Sequence, residues 1–476
     1  MLQTLKNAWN TKELRNKILF TLLILLLYRI GTVIPVPFVS ANKFSGEIFN
    51  GTILAQMDIL SGGSLSTFTI FALGVSPYIN ASIIIQLLAV VFPRLGELAK
   101  NDKEKMNYIT RIVTVALAIV TAIGYYFLIK NSNMLVNAAD PAQNPKMAWF
   151  YGIVIIACYC AGASVIMWLG ELINKKGIGN GISMILFANI VSTLPSFVYK
   201  LVTLAIDTYS YSQKAWLYGI ISTLFALIVI AAVAALFVFV IWVTGSERRI
   251  PITYAKRVVG RKMYGGQSSN LPIKLNMTGV MPIIFASSIV SLIPTILTLC
   301  GVTSTQDGFW GGAYRILGSD GVVYPVSLFI LIIAFAYFYT QITFDPIEVA
   351  NNIKKQGGTI PGIRQGRPTS DYIRKILNKV TLVGALFLGI VAVIPVIAGP
   401  HIFQHLIEWI LNGSDQMISG YIFTGTSFIT IAQAASSISS QLTFGGTSIL
   451  IIVGVVIETF RGLESELTMR NYKGFL

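Results

Sequence analysis

Ten stretches of this chain run almost without charge for long enough to cross a lipid bilayer. They are residues 18–34 (broken only by Arg29), 74–92, 112–129, 149–170, 181–199, 216–243, 279–300, 323–344, 380–398 and 442–457. A hydrocarbon core about 30 Å thick takes about 20 helical residues to span. Inside lipid the backbone must satisfy its own hydrogen bonds, which leaves helices or closed barrels, and runs of this length select helices. Only 12% of the residues are charged, about half the share of a soluble domain. A water-soluble enzyme, a disordered chain and a fibrous repeat are thereby excluded. Three cysteines make no disulfide scaffold. No run has the short core and A-x-A end of a removed signal. Residues 2–18 read as a surface helix, with Leu2, Leu5 and Trp9 on one face.

The basic residues fix the topology. Segments 1–17, 93–111, 171–180, 244–278, 345–379 and 458–476 hold 28 of the 35 Lys and Arg, and the alternate segments hold six. By the positive-inside rule the first set is cytoplasmic, with both termini on that side. The chain divides into an N-terminal surface helix (1–17), a first half of five spans (18–200), a second half of five (201–460) and a cytoplasmic tail (461–476). The Ser-, Thr- and Gly-rich stretch 417–435 would invert the last span if it crossed, so 399–441 reads as an external insertion.

Between Asp58 and Arg94 lie 35 uncharged residues, which as one helix would measure roughly 52 Å. Residues 74–92 suffice to cross. The stretch 61–73 therefore goes elsewhere, as a short, weakly helical element entering from outside and enclosed by protein. Ser61, Gly62, Gly63 and Ser64 break a helix or let it pivot.

The segments G-V-S-P-Y-I-N-A-S-I-I-I (74–85) and G-V-M-P-I-I-F-A-S-S-I-V (279–290) agree at seven of twelve positions. They fall on spans two and seven. An odd offset of five spans makes the copies run oppositely through the membrane, an inverted repeat whose working site lies between the halves.

Coupled transporters bind ions or protons at ionisable groups within their spans. Here no Asp, Glu, Lys or His lies in the middle of any span, and Arg29 is the lone charge. An apolar constriction dewets and passes nothing passively, yet it can fit around a polymer of varied side chains. This disfavours a solute transporter, and no nucleophile–base pair at shared depth suggests an intramembrane enzyme. Nor is there a Gly-Lys phosphate loop, so a partner must supply energy. Gly177-Ile178-Gly179-Asn180-Gly181 is a tight turn between spans, and His401 and His405 are solvated helix surface rather than a metal pair.

Loops 244–278 and 345–379 carry seven basic residues each. Their charge lies far from the span ends beside Gly and Pro turns, as protruding tips suited to a large acidic partner or RNA phosphates.

The runs S-G-G-S-L-S-T-F-T-I-F-A-L-G-V-S-P-Y-I-N-A-S-I-I-I-Q-L-L, G-I-G-N-G-I-S, Y-A-K-R-V-V-G-R-K-M-Y-G-G-Q-S-S-N-L-P-I-K-L-N, P-G-I-R-Q-G-R-P and F-G-G-T-S-I-L-I-I-V resemble the SecY family of bacterial protein-translocation channels. The resemblance runs in order along nearly the whole chain; the external insertion is longer than usual. It implies an all-α membrane protein of ten transmembrane helices in two inverted halves, with a short plug helix before the second span. It implies a passive, non-enzymatic pore in the bacterial cytoplasmic membrane, without metal or cofactor. The apolar ring would be Val75, Ile79, Ile182, Leu186, Ile284 and Ile451. The plug would comprise Ser61, Gly62, Gly63, Ser64, Leu65, Phe68, Ile70 and Phe71. Spans two and three would meet seven and eight at a lateral gate, with Asn80, Gln86, Ser287 and Ser288 able to bond across it. Where the family's last span often has Val, this chain has Gly454. SecA or a ribosome would dock on Arg248, Arg249, Lys256, Arg257, Arg261, Lys262, Arg364 and Arg367. SecE and SecG would be membrane partners, and signal peptides, unfolded polypeptides and lipid would meet the gate.

Overall fold

A computed structural model describes residues 2–39, 53–131, 134–135, 148–210, 215–254, 257–259, 262–264, 268–300, 302, 308–318, 321, 323–399, 405, 421–424 and 427–473. Each of the ten apolar runs falls on a helix. In chain order these are α2 (Lys12–Gly31), α4 (Ser76–Val91), α6 (Lys103–Asn131), α7 (Ala148–Lys176), α8 (Gly181–Ser210), α9 (Ala215–Gly245), α10 (Met281–Leu299), α12 (Val323–Thr343), α14 (Arg367–Ala398) and α15 (Ile431–Lys473). Shorter helices intervene: α1 (Leu2–Asn10), α3 (Ile53–Ser61), α5 (Pro93–Asn101), α11 (Phe309–Leu317) and α13 (Pro346–Lys355). Eight helices are individually long and apolar enough to cross a membrane among the described residues. Helix α4 bends by 118° into α5 at Pro93, and the count is nine when that bent pair is taken as one span. Helix α2, on the first apolar run, carries Lys12, Glu13, Arg15 and Lys17 on its first turns. The two ends of the chain meet, with Lys17 paired to Glu466 at 2.8 Å and Thr4 to Glu464 at 3.2 Å. Ala8 and Leu14 pack there with Leu463.

Several boundaries move. The N-terminal surface helix stops at Asn10, because Thr11 takes an extended conformation before α2. Helix α8 runs past the expected end of span five and carries the boundary between halves, 200/201, inside it. The last helix begins at Ile431, not 442, so the end of the predicted insertion is helical. Ahead of it Tyr421–Thr424 pairs with Ser427–Thr430. The remainder of 399–441, His401 included, lies outside the described residues apart from Gly399 and His405.

The packing repeats with the sequence. In the first half α4 packs on α6, α6 on α7 and α7 on α8; in the second, α10 on α12, α12 on α14 and α14 on α15. These are the same neighbours five spans on. The halves meet where α4 and α6 touch α10, where α8 touches α9 and α15, and where α3 touches α10 and α15. One core cluster of buried apolar side chains crosses that boundary.

The two basic loops contain strands that the hydropathy pattern did not foretell. Strand β1 (Glu247–Tyr254) pairs antiparallel with β4 (Ser268–Lys274), and its end pairs with β5 (Gly358–Thr359) from the other loop. Between β1 and β4, β2 (Arg257–Val259) pairs with β3 (Lys262–Tyr264). Ile250, Ile252, Ile273, Ile353, Ile360 and Ile373 bury a small core beneath the sheet. The two loops therefore form one body, not two independent tips.

Candidate pore, plug and gate

The repeat is literal at the level of backbone angles. Gly74 and Gly279 both adopt the left-handed conformation, at φ 57° and 65°. Val75 and Val280 then start their helices at φ −88°, ψ −9° and φ −91°, ψ −9°. Pro77 and Pro282 follow in the first turn, where a missing N–H costs nothing. This device delivers Ile79 and Ile284 from opposite halves to one place.

The six ring candidates all lie in the core cluster that joins the halves. None is more than 9% exposed. Val75, Ile79, Leu186, Ile284 and Ile451 line a single cavity of about 20 Å³ with Leu60 and Ser61, space for about one water. Ile182 belongs to the same cluster but does not line that cavity. Gly454 has a packing reason, since a Cβ there would lie 2.2 Å from Val280 Cγ1. The side chain missing from the last span is replaced by a valine of the repeat.

The plug region differs in detail from expectation. Its helix is α3, ending at Ser61, and residues 62–73 form turns. Gly62 and Gly63 take φ 72° and 85°, which ends the helix. The Asp58 carboxylate accepts the N–H groups of Leu65 at 3.1 Å and Ser66 at 2.8 Å. Ser61 Oγ donates to Asp58 O, and Ser64 Oγ to Ser61 O. These small and acidic side chains thus satisfy a turn that leaves Leu65 and Phe68 buried. The segment is pinned beside the end of α2, because Val36 N donates to Phe68 O and Ile70 N to Ile34 O, both at 3.0 Å. Phe71 stacks on Tyr28. Phe68 holds a left-handed φ of 48°, a conformation that persists in a bulky residue only where its surroundings impose it.

Arg29, the lone charge of the spans, finds partners. Its Nη2 donates to Ala188 O at 3.2 Å, and its Nη1 reaches Gly62 O at 3.4 Å. Carbonyl partners offset the cost of about 2.5–3.5 kcal/mol for a charge near the bilayer centre.

At the seam between halves, Gln86 bridges. Its amide donates to Ser82 Oγ at 2.9 Å, and the Tyr339 hydroxyl of α12 donates to its carbonyl oxygen. Tyr339 packs on Phe285 of α10. Sequence reading missed Tyr339, because nothing in the chain marks two residues so far apart as neighbours. Ser287 instead donates to Ile284 O of its own helix, at 3.0 Å, and with Ser288 lines the same cavity as the ring residues. Asn80 Oδ1 is buried without a hydrogen-bond partner among the described residues. Further along, Gly124 of α6 lies against Leu299 of α10, and a Cβ there would come 2.7 Å from Leu299 Cδ1. The seam is shut.

On the basic side Arg248, Arg249, Arg364 and Arg367 are exposed. Arg249 pairs with Glu247. Arg364 sits in a turn between Gly362 (φ 80°) and Gly366 (φ 97°), fastened by Thr369 Oγ1 donating to Arg364 O at 2.8 Å. Lys274, at the end of β4, is held below the ordinary lysine range by burial, with Arg461 adding to the effect and Glu247 opposing it. Arg257 and Lys262 lie on β2 and β3, and Lys256 and Arg261 lie outside the described residues.

Comparison with known proteins points one way. The SecY family model matches residues 69–410. The protein translocase subunit SecY of Streptomyces galbus is 38% identical over the full length of both chains, as is that of Mycobacterium bovis. A solved protein-conducting channel shares the fold, with a TM-score of 0.57 and 16% identity over 95% of this chain and 92% of that one. So does a SecY structure whose plug domain is described as stabilising the closed state, with a TM-score of 0.55 and 18% identity over the same shares.

Proposed function

This chain belongs to the SecY family, and on that premise we propose how its geometry works. It is a gated protein-conducting channel that passes unfolded polypeptides across the membrane and releases apolar segments sideways into lipid. Val75, Ile79, Ile182, Leu186, Ile284 and Ile451 are the constriction. Residues 61–73, together with α3 ahead of them, are the plug above it. The seam of α4 and α6 against α10 and α12 is the lateral gate, closed by the Gln86–Tyr339 bond and the Gly124–Leu299 contact. A signal segment opens the seam by binding better to the parted than to the closed state.

The single observation that carries this reading is the ring. Six apolar side chains, drawn from both inverted halves, converge in one buried core directly under a turn-rich, protein-enclosed segment. Apolar walls hold a small closed pore dry, and they bind no particular side chain of a passing polymer. The membrane is the bacterial cytoplasmic membrane, with both termini cytoplasmic, as the 28 basic residues on that side support. The pore is passive and does no chemistry; SecA or a ribosome drives it by docking on the basic sheet and on the Arg364 turn. SecE and SecG complete the membrane complex.

A polypeptide arrested in transit tests the constriction. A cysteine in the arrested chain crosslinks to Ile79→Cys or Ile284→Cys in a background lacking Cys158, Cys160 and Cys300. Absence of a crosslink at every ring position removes the central pore. Charge reversal tests the docking surface. Arg364→Glu slows ATPase-driven export by about tenfold, the effect of losing one charge-assisted contact, while the insertion topology of the chain stays as it was. Altered topology with export intact would make the arginine an orientation signal only.

A further inference from the structure

The root of the plug is tied to the first half by side-chain hydrogen bonds. Helix α3 ends at Ser61, and the last carbonyls of a helix lack partners within it and carry the negative end of its dipole. Side chains of the first half supply donors there. Asn189 Nδ2 of α8 donates to Leu60 O at 2.8 Å. Arg29 of α2 reaches Gly62 O while holding Ala188 O of α8. The fit leaves no room for a side chain at Gly62, where a Cβ would lie 2.9 Å from Asn189 Oδ1 and 3.0 Å from Arg29 Nη1. A guanidinium inside a transmembrane helix is otherwise a liability, and here it sits where a helix end wants a cation.

Toward the second half α3 packs on α10 and α15. There α3 faces a cavity of about 30 Å³, edged by Met57 and Leu60 on its side and by Ser287, Ser291 and Ser448 opposite. Nearby, Thr295 Oγ1 of α10 donates to Ser291 O of its own helix at 2.6 Å and lies 3.4 Å from Met57 Sδ, and a thioether is a weak acceptor.

We propose that Arg29 and Asn189 are positioning residues that anchor the plug to the first half, so that when the gate parts the plug stays with α2 and α8 and leaves α10. The inference rests on the channel reading above. It gives the intramembrane arginine a purpose, which is to hold the stopper's root while its far face is free to lift.

The test uses the full-length chain with its co-purifying subunits in liposomes, free of Cys158, Cys160 and Cys300. Spin labels at Thr67→Cys on the plug and Ser196→Cys on α8 give one distance; Thr67→Cys with Ile293→Cys on α10 gives another. With a polypeptide arrested in the pore, the 67–196 distance stays constant and the 67–293 distance lengthens. At rest, Arg29→Gln broadens the 67–196 distribution and raises ion leak by about tenfold, the weight of one charge-assisted bond. Arg29→Lys, which keeps a cation near the carbonyls, recovers most of both. Asn189→Ala removes the Leu60 bond alone and gives a smaller change in the same direction. The anchor is overturned if Arg29→Gln leaves the resting 67–196 distance and the leak unchanged, or if in the arrested complex that distance lengthens while 67–293 is constant. Failure of the channel reading has another signature: the unaltered chain would arrest no polypeptide, and the resting distance in Arg29→Gln would still decide the anchor.

Discussion

Serine at both Ile79 and Ile284 raises the resting ion conductance of the full-length channel in a planar bilayer by at least about tenfold, with polypeptide export retained. The barrier to ions is the absence of water between apolar walls. The cavity at the ring already has a volume of about 20 Å³, roughly one water's worth. Each substitution removes most of a buried branched side chain, worth about 1.5–3 kcal/mol of burial, and puts a hydroxyl in its place. Because the two isoleucines come from opposite halves through the same Gly-Val-x-Pro start, the pair widens the waist from both walls. Single-channel recording reads the result, and an unchanged conductance would show that the barrier lies elsewhere.

A bulky residue at position 162 is expected to unseat the plug without touching the ring. Gly162 lies on α7 facing the plug segment, and a Cβ there would stand 2.0 Å from the carbonyl oxygen of Ile70. Backbone cannot give way as a side chain's tip can, so Gly162→Leu must displace residues near Ile70 or shift α7. Overpacking of this kind costs about 1–3 kcal/mol. The expected outcome is a leak comparable to that of the serine pair, together with a lower unfolding temperature. Gly462→Ala is the control: nothing lies within 4 Å of its Cβ position in α15, and alanine there is neutral or stabilising by up to about 1 kcal/mol. An intact seal in Gly162→Leu would mean that the plug does not depend on its bed against α7.

The spans were readable because lipid imposes a length and a hydropathy on them that few other environments impose. The repeat was readable because Gly74 and Gly279 hold a backbone conformation that needs glycine, so the residues recur with the geometry. Symmetry then placed Ile79 beside Ile284. The plug's helix was less accessible. Its end is set by the Asp58 carboxylate folding forward onto Leu65 and Ser66, whereas hydropathy registers Asp58 only as the edge of an uncharged run. The gate's polar contacts were harder still. Asn80, Gln86, Ser287 and Ser288 are all polar residues on helices of the proposed gate, yet among the described bonds Gln86 alone of the four reaches across the seam, and its partner Tyr339 is more than 250 residues away. Composition shows which side chains can bond, not which ones the fold turns toward each other. The basic loops illustrate the same limit. Ile250, Ile252 and Ile273 alternate correctly for strands, but their burial depends on Ile353 and Ile360 from another loop.

That shared sheet has a mechanical consequence. Strand β1, which leaves α9, is laddered on one edge to the strand that leads toward α10 and on the other to the short strand between α13 and α14. Neither basic loop can be tugged without dragging its companion. Force applied to either one is shared by α9, α10, α13 and α14, all of them in the second half.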